Sequence, residues 1–313
     1  MAAYKKVALY ASYQTGKDLP GYVRFALRHL AATDFHVVLL TNDRELSEDT
    51  YNFIADNQIE LFLTRNHGFD FGMWHRYLKL KVSNPAASGA QESMGNLDRL
   101  LVLNDSIVYF QNNFEKFFAE AENSSADVVS LTSNNEICPH LQSFFLYMKQ
   151  PALGAFFMHL FETPEQEDFM STVRRMEIGL SEKFMEAEVR MEALYPTENK
   201  ALFSAKELIE QGAGFIKRKL LQRRFTFDEK IYFIRMGAKD MLNTDYAAIV
   251  KKAGLAHDFK EEWIPAVIDS PLRHKADLLW EGAFDKVGWP VLRTAIKAKY
   301  KLLRKPLTGD EYK

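Results

Sequence analysis

Residues Arg99-Leu100-Leu101-Val102-Leu103-Asn104-Asp105-Ser106 decide the reading of this chain: four apolar residues of strand type stop abruptly at three polar side chains. Working upstream, Ile59 to Thr64 reads as another strand, followed by the loop Arg65 to Asp70 and a helix carrying Phe71, Trp74 and Leu78 on one side. Ahead of that, Ser47 with Glu48 and Asp49 caps a helix whose buried face holds Tyr51, Ile54 and Ala55. His36 to Thr41 is a buried strand ending at Asn42-Asp43. It is preceded by a helix from Tyr22 and a first strand, Val7 to Tyr13, closed off by Pro20-Gly21. Strands and helices alternating at these lengths predict a mainly parallel sheet flanked by helices, an α/β fold of Rossmann type.

Downstream the text changes. From about residue 196 it reads as helical, with Ser204 and Glu207 as a capping box and Ile209, Phe215, Ile216 and Leu220 continuing the apolar pattern. This divides the chain into an α/β domain over 1–195 and a helical C-terminal extension over 196–313. Near the end, Leu292, Ile296, Tyr300 and Leu303 share one helix face, and Arg293, Lys297, Lys301 and Arg304 lie beside it. That pattern suits a packed helix with a solvated basic side, or a helix lying on an anionic bilayer. Trp74, Trp263, Trp280 and Trp289 are at core-like spacing, though such rings also stack on sugars.

Composition narrows the function. With 313 residues, 47% hydrophobic and 26% charged, the chain can fill a large core, and a net charge of −2 with dispersed Lys and Arg gives no footprint for nucleic acid. The single cysteine, Cys138, forms no internal disulfide, and neither a secretory leader nor a run of roughly 20 apolar residues is evident, so a cytoplasmic location is expected. The chain has no Gly-x-Gly-x-x-Gly turn after the first strand and no Gly-Lys-Ser/Thr loop, which argues against dinucleotide oxidoreductases and P-loop enzymes.

In sheets of this kind, ligands bind beyond the carboxyl ends of the strands. The two richest ends are Asn66-His67-Gly68-Phe69-Asp70-Phe71-Gly72 and Asn104-Asp105-Ser106, and both point to one crevice. Asp105 should emerge at the sheet rim, contributing little to the core, where it would take a ligand hydroxyl or a hard divalent cation, Mg²⁺ or Mn²⁺. Asp105 and Ser106 also suit a plain turn into a helix over Phe114 to Ala121. Gly68 and Gly72 would let backbone approach a ligand, and Asp70 either caps the next helix or binds a nucleoside.

These loops, with Leu141-Gln142-Ser143-Phe144-Phe145 and Glu177-Ile178-Gly179-Leu180-Ser181, occur in an order that resembles the rhamnan synthesis protein F family over roughly residues 5–250. They also look like variants of landmarks in the family-2 glycosyltransferase group. The resemblance implies a GT-A-like fold and transfer of a sugar from a nucleotide-sugar donor to a glycan acceptor, lipid-linked, at the inner membrane. It implies donor binding by Arg65, Asn66, Gly68, Asp70, Gly72, Asn104, Asp105 and Ser106, and acceptor contacts from Gln142 and Ser143 on a strand. It also places Glu177, at the start of a helix, where similar enzymes carry the catalytic base. One departure stands out: the usual Asp-x-Asp metal motif is here Asn104-Asp105-Ser106, with one carboxylate. That leaves room for a metal-free enzyme using basic residues such as Arg65, or for a non-catalytic partner subunit with the same fold. A further alternative is an unrelated nucleotide-using transferase. Glu177 and Glu182 also suit a first helical turn, where acidic residues favour the dipole.

Overall fold

A computed structural model describes residues 4–83, 97–135, 137–197, 199–223, 225 and 244–265. The first strands alternate with helices as the apolar pattern requires: β1 (Lys6–Ser12), α1 (Gly21–Ala31), β2 (His36–Asn42), α2 (Glu48–Asp56), β3 (Glu60–Thr64), α3 (Phe69–Ser83) and β4 (Arg99–Asn104). Ser47 caps α2 by accepting from the Thr50 amide at 3.2 Å. The chain continues through β5 (Ile107–Tyr109), α4 (Phe114–Asn123), β6 (Val128–Ser130), the short pair β7 (Ser133–Asn134) and β8 (His140–Leu141), and β9 (Phe145–Lys149). Helix α5 (Gln150–Glu162) follows.

Seven strands form one sheet in the order β10-β6-β9-β4-β1-β2-β3, where β10 is Met191–Ala193. All pairings are parallel except those of β9, which runs antiparallel to both β4 and β6. Burial on both faces explains why β1, β2 and β4 read as nearly unbroken apolar runs. Ala8, Tyr10, Leu101 and Leu103 join one core cluster, while Val7, Leu9, Leu100 and Val102 join the other. Each fully buried aliphatic side chain of this kind contributes roughly 1.5–3 kcal/mol. Trp74 belongs to the second cluster and is fully buried, and the half-buried Trp263 packs on Phe25 and Phe259.

Three expectations need correction. The strand expected over Leu141 to Phe145 is split: Gln142, Ser143 and Phe144 form the turn between β8 and β9. The helix expected to open at Glu177 starts eight residues earlier. Asp168 caps it by accepting from the Ser171 amide at 2.9 Å, and the run Phe169–Ser171 passes through a π-helical segment, Thr172–Ile178, into α6 (Gly179–Glu186). The region after residue 196 is not helical throughout. Ser204 donates to the Asn199 carbonyl instead of completing a capping box before α7 (Ala205–Glu210). Phe215–Lys217 is strand β11, antiparallel to β5, before a single turn, α8 (Arg218–Leu221). A three-residue apolar stretch cannot be told from helix by periodicity, and pairing with β5 decides it.

The described residues fall within one compact unit, Met1–Ala266. The boundary expected at residue 195 lies inside it, since Leu202, Phe203, Leu208 and Phe215 share the core cluster of β1 and β4. Helix α9 (Tyr246–Gly254) adds Tyr246 and Val250 to the same cluster. The basic face over 292–304, Trp280 and Trp289 lie outside the described residues.

Candidate active site

The carboxyl ends of β1 and β4 and the amino end of antiparallel β9 meet at one edge of the sheet. Two of the expected residues, Asp70 and Asn104, meet there directly. Asn104 donates from Nδ2 to Asp70 Oδ2 at 2.5 Å, joining the two loops. Asp70 reaches it because Gly68 (φ +71°) and Phe69 (φ +53°) turn left-handed one after the other. A left-handed phenylalanine costs about 1–2 kcal/mol, a strain characteristic of functional loops.

Asp105 is buried, not at the rim, with 6% of its surface exposed. Its Oδ2 accepts from Ser12 Oγ at 2.9 Å and Gln14 Nε2 at 2.6 Å, and pairs with Arg218 at 3.0 Å. Arg218 also donates to the Tyr22 hydroxyl at 2.8 Å. Burial pushes the Asp105 carboxyl above its ordinary value, against the opposing pull of Arg218, Ser12 and Gln14. Neither Asp105 nor Ser106 caps the Phe114 helix, because β5 intervenes. The Ser106 amide instead donates to Asn104 Oδ1 at 3.0 Å, and the Ser106 carbonyl accepts from the Arg218 amide at 2.9 Å. Strand β11 thus delivers Lys217 and Arg218 to the site, which the sequence reading missed because it took this segment as helix.

The Asp105 carboxylate does not fit a preformed divalent-cation site. A cation at Oδ2 would displace three donors, one of them a guanidinium at 3.0 Å. Among the described residues, no group of three or more His, Cys, Asp or Glu side chains is placed to hold a metal ion.

Glu177 occupies the widened π-helical turn and faces the turn before β9. Its Oε2 accepts from the Ser143 amide at 3.1 Å and from the Ser143 hydroxyl, and its Oε1 lies 3.4 Å from His140 Nε2. Burial alone would raise this carboxyl, but His140, Ser143 and the field of Lys217 outweigh it and hold it below the usual range. Glu177 is therefore an ionised acceptor at neutral pH. Its position within the helical run is not that of a first-turn residue serving the dipole, a description that fits Glu182. Single π-turns of this kind are frequent at functional sites. Gln142 is tied inward: its Oε1 accepts from Thr132 Oγ1 at 2.9 Å and the Ala201 amide at 3.0 Å.

The loop after β3 is held from outside the crevice by Glu165, which sequence reading also missed. Its carboxylate lies 2.6 Å from His67 Nδ1, 2.9 Å from Arg76 and 3.9 Å from Arg65. Arg76 further donates to the carbonyls of Arg65 at 2.6 Å and His67 at 3.0 Å. Arg65 is largely exposed and leans toward Glu165, so the cations beside Asp105 and Ser106 are Arg218 and Lys217. Asn66 is exposed. Gly72 serves the loop itself, because a Cβ there would meet the His67 carbonyl oxygen at 2.0 Å. Gly72→Ala is accordingly expected to destabilise the protein by about 1–3 kcal/mol by overpacking, read in denaturant unfolding. An unchanged midpoint would contradict this packing.

The Rhamnan synthesis protein F model matches residues 37–252, which contain every charged group just described, while Ser12, Gln14 and Tyr22 precede it. The chain belongs to the rhamnan synthesis protein F family. Membership gives it a role in polysaccharide synthesis, and the family's matched span runs through β11, beyond the expected boundary at 195. No curated protein sequence matches the chain. Solved structures similar to it include a cytidylyltransferase from Leptospira borgpetersenii serovar Hardjo-bovis (14% identity, 77% of this chain and 98% of that one, TM-score 0.38). A glycosyltransferase involved in glycosylation of the major capsid of PBCV-1 is also similar (10% identity, 76% and 100%, TM-score 0.33). Among the described residues, no helix is long and apolar enough to cross a membrane.

Asp70 gives the site a pH signature. Burial pushes its carboxyl up to about 7, and the Asp105 charge adds to the effect. The unfolded value is about 3.9. Between roughly pH 4 and 7 the folded protein therefore holds a proton that the unfolded chain releases, and stability falls as pH rises through that window. Asp70→Asn is expected to flatten this fall in a series of melting curves from pH 4 to 8. Parallel curves for the two proteins would contradict it.

Proposed function

We propose that the chain is a glycosyltransferase. It moves a sugar, rhamnose or another hexose or furanose, from a nucleotide-sugar donor to a growing bacterial surface polysaccharide carried on a lipid. The observation that carries this reading is the convergence of Asp70, Asp105, Glu177, Lys217 and Arg218, from four separate segments, at the strand edge where α/β sheets bind ligands. Family membership supplies the polysaccharide context.

In this reading the donor's nucleotide lies along the ends of β1 and β4, with Asp70 and Asn104 fixing the loop beside it. The acceptor hydroxyl oxygen attacks the anomeric carbon as the bond from that carbon to the diphosphate oxygen breaks. The bonding electron pair leaves with the diphosphate, and the hydroxyl proton passes to Glu177. One displacement inverts the anomeric centre without a covalent enzyme intermediate. Ser143, which holds the base, reaches it from the β9 side, where the acceptor would enter. The expected peripheral contact with the cytoplasmic face of the inner membrane belongs to this proposal, as the place where a lipid-linked acceptor is met.

The test is a melting-temperature screen of nucleotides and nucleotide sugars, with and without Mn²⁺. A ligand selective for the native state raises its melting temperature by mass action. A rise with one nucleotide sugar and its parent nucleoside diphosphate is expected. No response to any of them would remove the proposal.

A further inference from the structure

Among the described residues Lys217, at the crevice, makes no ion pair. Its ammonium lies 3.4 Å from Ser106 Oγ and 4.0 Å from the centre of the Phe144 ring. Among the described residues no carboxylate is within ion-pair distance of it. Arg218, next along the chain, is by contrast committed to Asp105 and Tyr22. The ammonium is partly withdrawn from water and feels Glu177 and Asp70 only from beyond contact distance, so an anionic ligand at Lys217 would offset part of the cost of that burial. The strand pairing of Lys217 with Ile107 fixes the base of the side chain, so its head is aimed before any ligand arrives.

The surroundings specify the ligand's shape. Lys217 touches the hydroxyl of Ser106, one residue from Asp105, while the ring of Phe144 sits between Ser143, the partner of Glu177, and β9. The cation therefore lies between the strand-end turn and the proposed base. That is where a diphosphate must depart if its sugar faces Glu177. Asp105 is occupied by Arg218 where other enzymes of this architecture would need a second carboxylate and a metal ion.

Resting on the glycosyltransferase reading, we infer that Lys217, with Ser106 beside it and Arg218 behind it, forms the diphosphate site and neutralises the leaving group in place of a divalent cation. Burial pushes the Lys217 ammonium down to about 8, with Glu177 and Asp70 opposing the shift, so it is still largely charged at neutral pH.

Calorimetric titration with inorganic pyrophosphate in excess EDTA tests the site directly. The wild type is expected to bind, Lys217→Met to bind roughly 10- to 100-fold more weakly, and Lys217→Arg to keep most of the affinity. Should the Met variant fail to fold, Lys217→Gln, which retains a donor for Ser106 Oγ, takes its place. Equal affinity for wild type and the neutral variant, or binding only when Mn²⁺ replaces EDTA, overturns the inference. Repeating the titration with the nucleotide sugar that stabilises the wild type separates the two claims. If it binds the neutral variant as well as the wild type, the diphosphate assignment falls and the transferase reading survives. If pyrophosphate binding needs Lys217 but no nucleotide sugar binds at all, the transferase reading falls and the anion site stands.

Discussion

Asp105→Ala is expected to cost roughly 3–5 kcal/mol of stability, the usual consequence of removing one member of a buried ion pair. The substitution leaves the Arg218 guanidinium beside Tyr22 without its carboxylate, and strips Ser12 and Gln14 of their common acceptor. For a unit of this size the loss corresponds to a fall in Tm on the order of 10 °C. This differs from the sequence expectation, in which a rim carboxylate could be removed with the fold near normal. The double variant Asp105→Ala, Arg218→Met should lose distinctly less than the sum of the two single changes, because neither charge is then left alone. Any loss of transfer by Asp105→Ala must therefore be read at a temperature where the variant is folded. A variant melting with the wild type would contradict the buried pairing.

Glu177→Gln separates chemistry from structure. Glutamine keeps the size of the side chain and can still accept from Ser143, but it has no carboxylate to take a proton. Donor binding should persist while transfer falls by roughly 10²- to 10⁴-fold, the usual worth of a general base. A residue serving only the helix dipole would instead cost about 0.3–1 kcal/mol of stability and leave the rate intact. Because His140 and Ser143 hold the Glu177 carboxyl below its ordinary value, the base form is present throughout the neutral range, and its titration should appear on the acid side of the rate profile. Wild-type turnover by a stable variant would eliminate Glu177 and direct attention to Glu182, since Asp168 is engaged as the helix cap.

The sheet was legible because β1, β2 and β4 are buried on both faces and end in polar residues; the order of β1 to β4 and the helices between them follows from that pattern, although α2 buries Thr50, Phe53 and Ile54 and exposes the expected Tyr51 and Ala55. The crevice was legible for the same reason, and Asn104 does meet Asp70 across it. The charges that complete it were not. Lys217 and Arg218 lie over a hundred positions from Asp105, and they arrive on a strand whose existence depends on pairing with β5, a non-local event that no window of residues contains. Glu165 was hidden similarly, since its partners His67 and Arg76 come from the distant loop after β3 and from α3. Ser12 and Gln14 were within reach: Ser12 ends β1 as Asn104 ends β4, Gln14 lies in the loop that follows, and the strand-end argument applied there would have found them. Gly72 carried a real constraint whose cause is a neighbouring carbonyl instead of a ligand.

The central claim is that a sugar leaves a nucleotide diphosphate in the crevice between Asp105, Lys217 and Glu177. It is tested most directly by release of nucleoside diphosphate from the stabilising nucleotide sugar, measured for wild type and Glu177→Gln side by side, with acceptor glycan present. Release by the wild type is expected to depend on acceptor, and to be at least 100-fold slower in a variant that binds the donor equally well. A wild-type protein that binds the donor and never releases the diphosphate, with its native acceptor supplied, would contradict it and leave a binding subunit with the same fold.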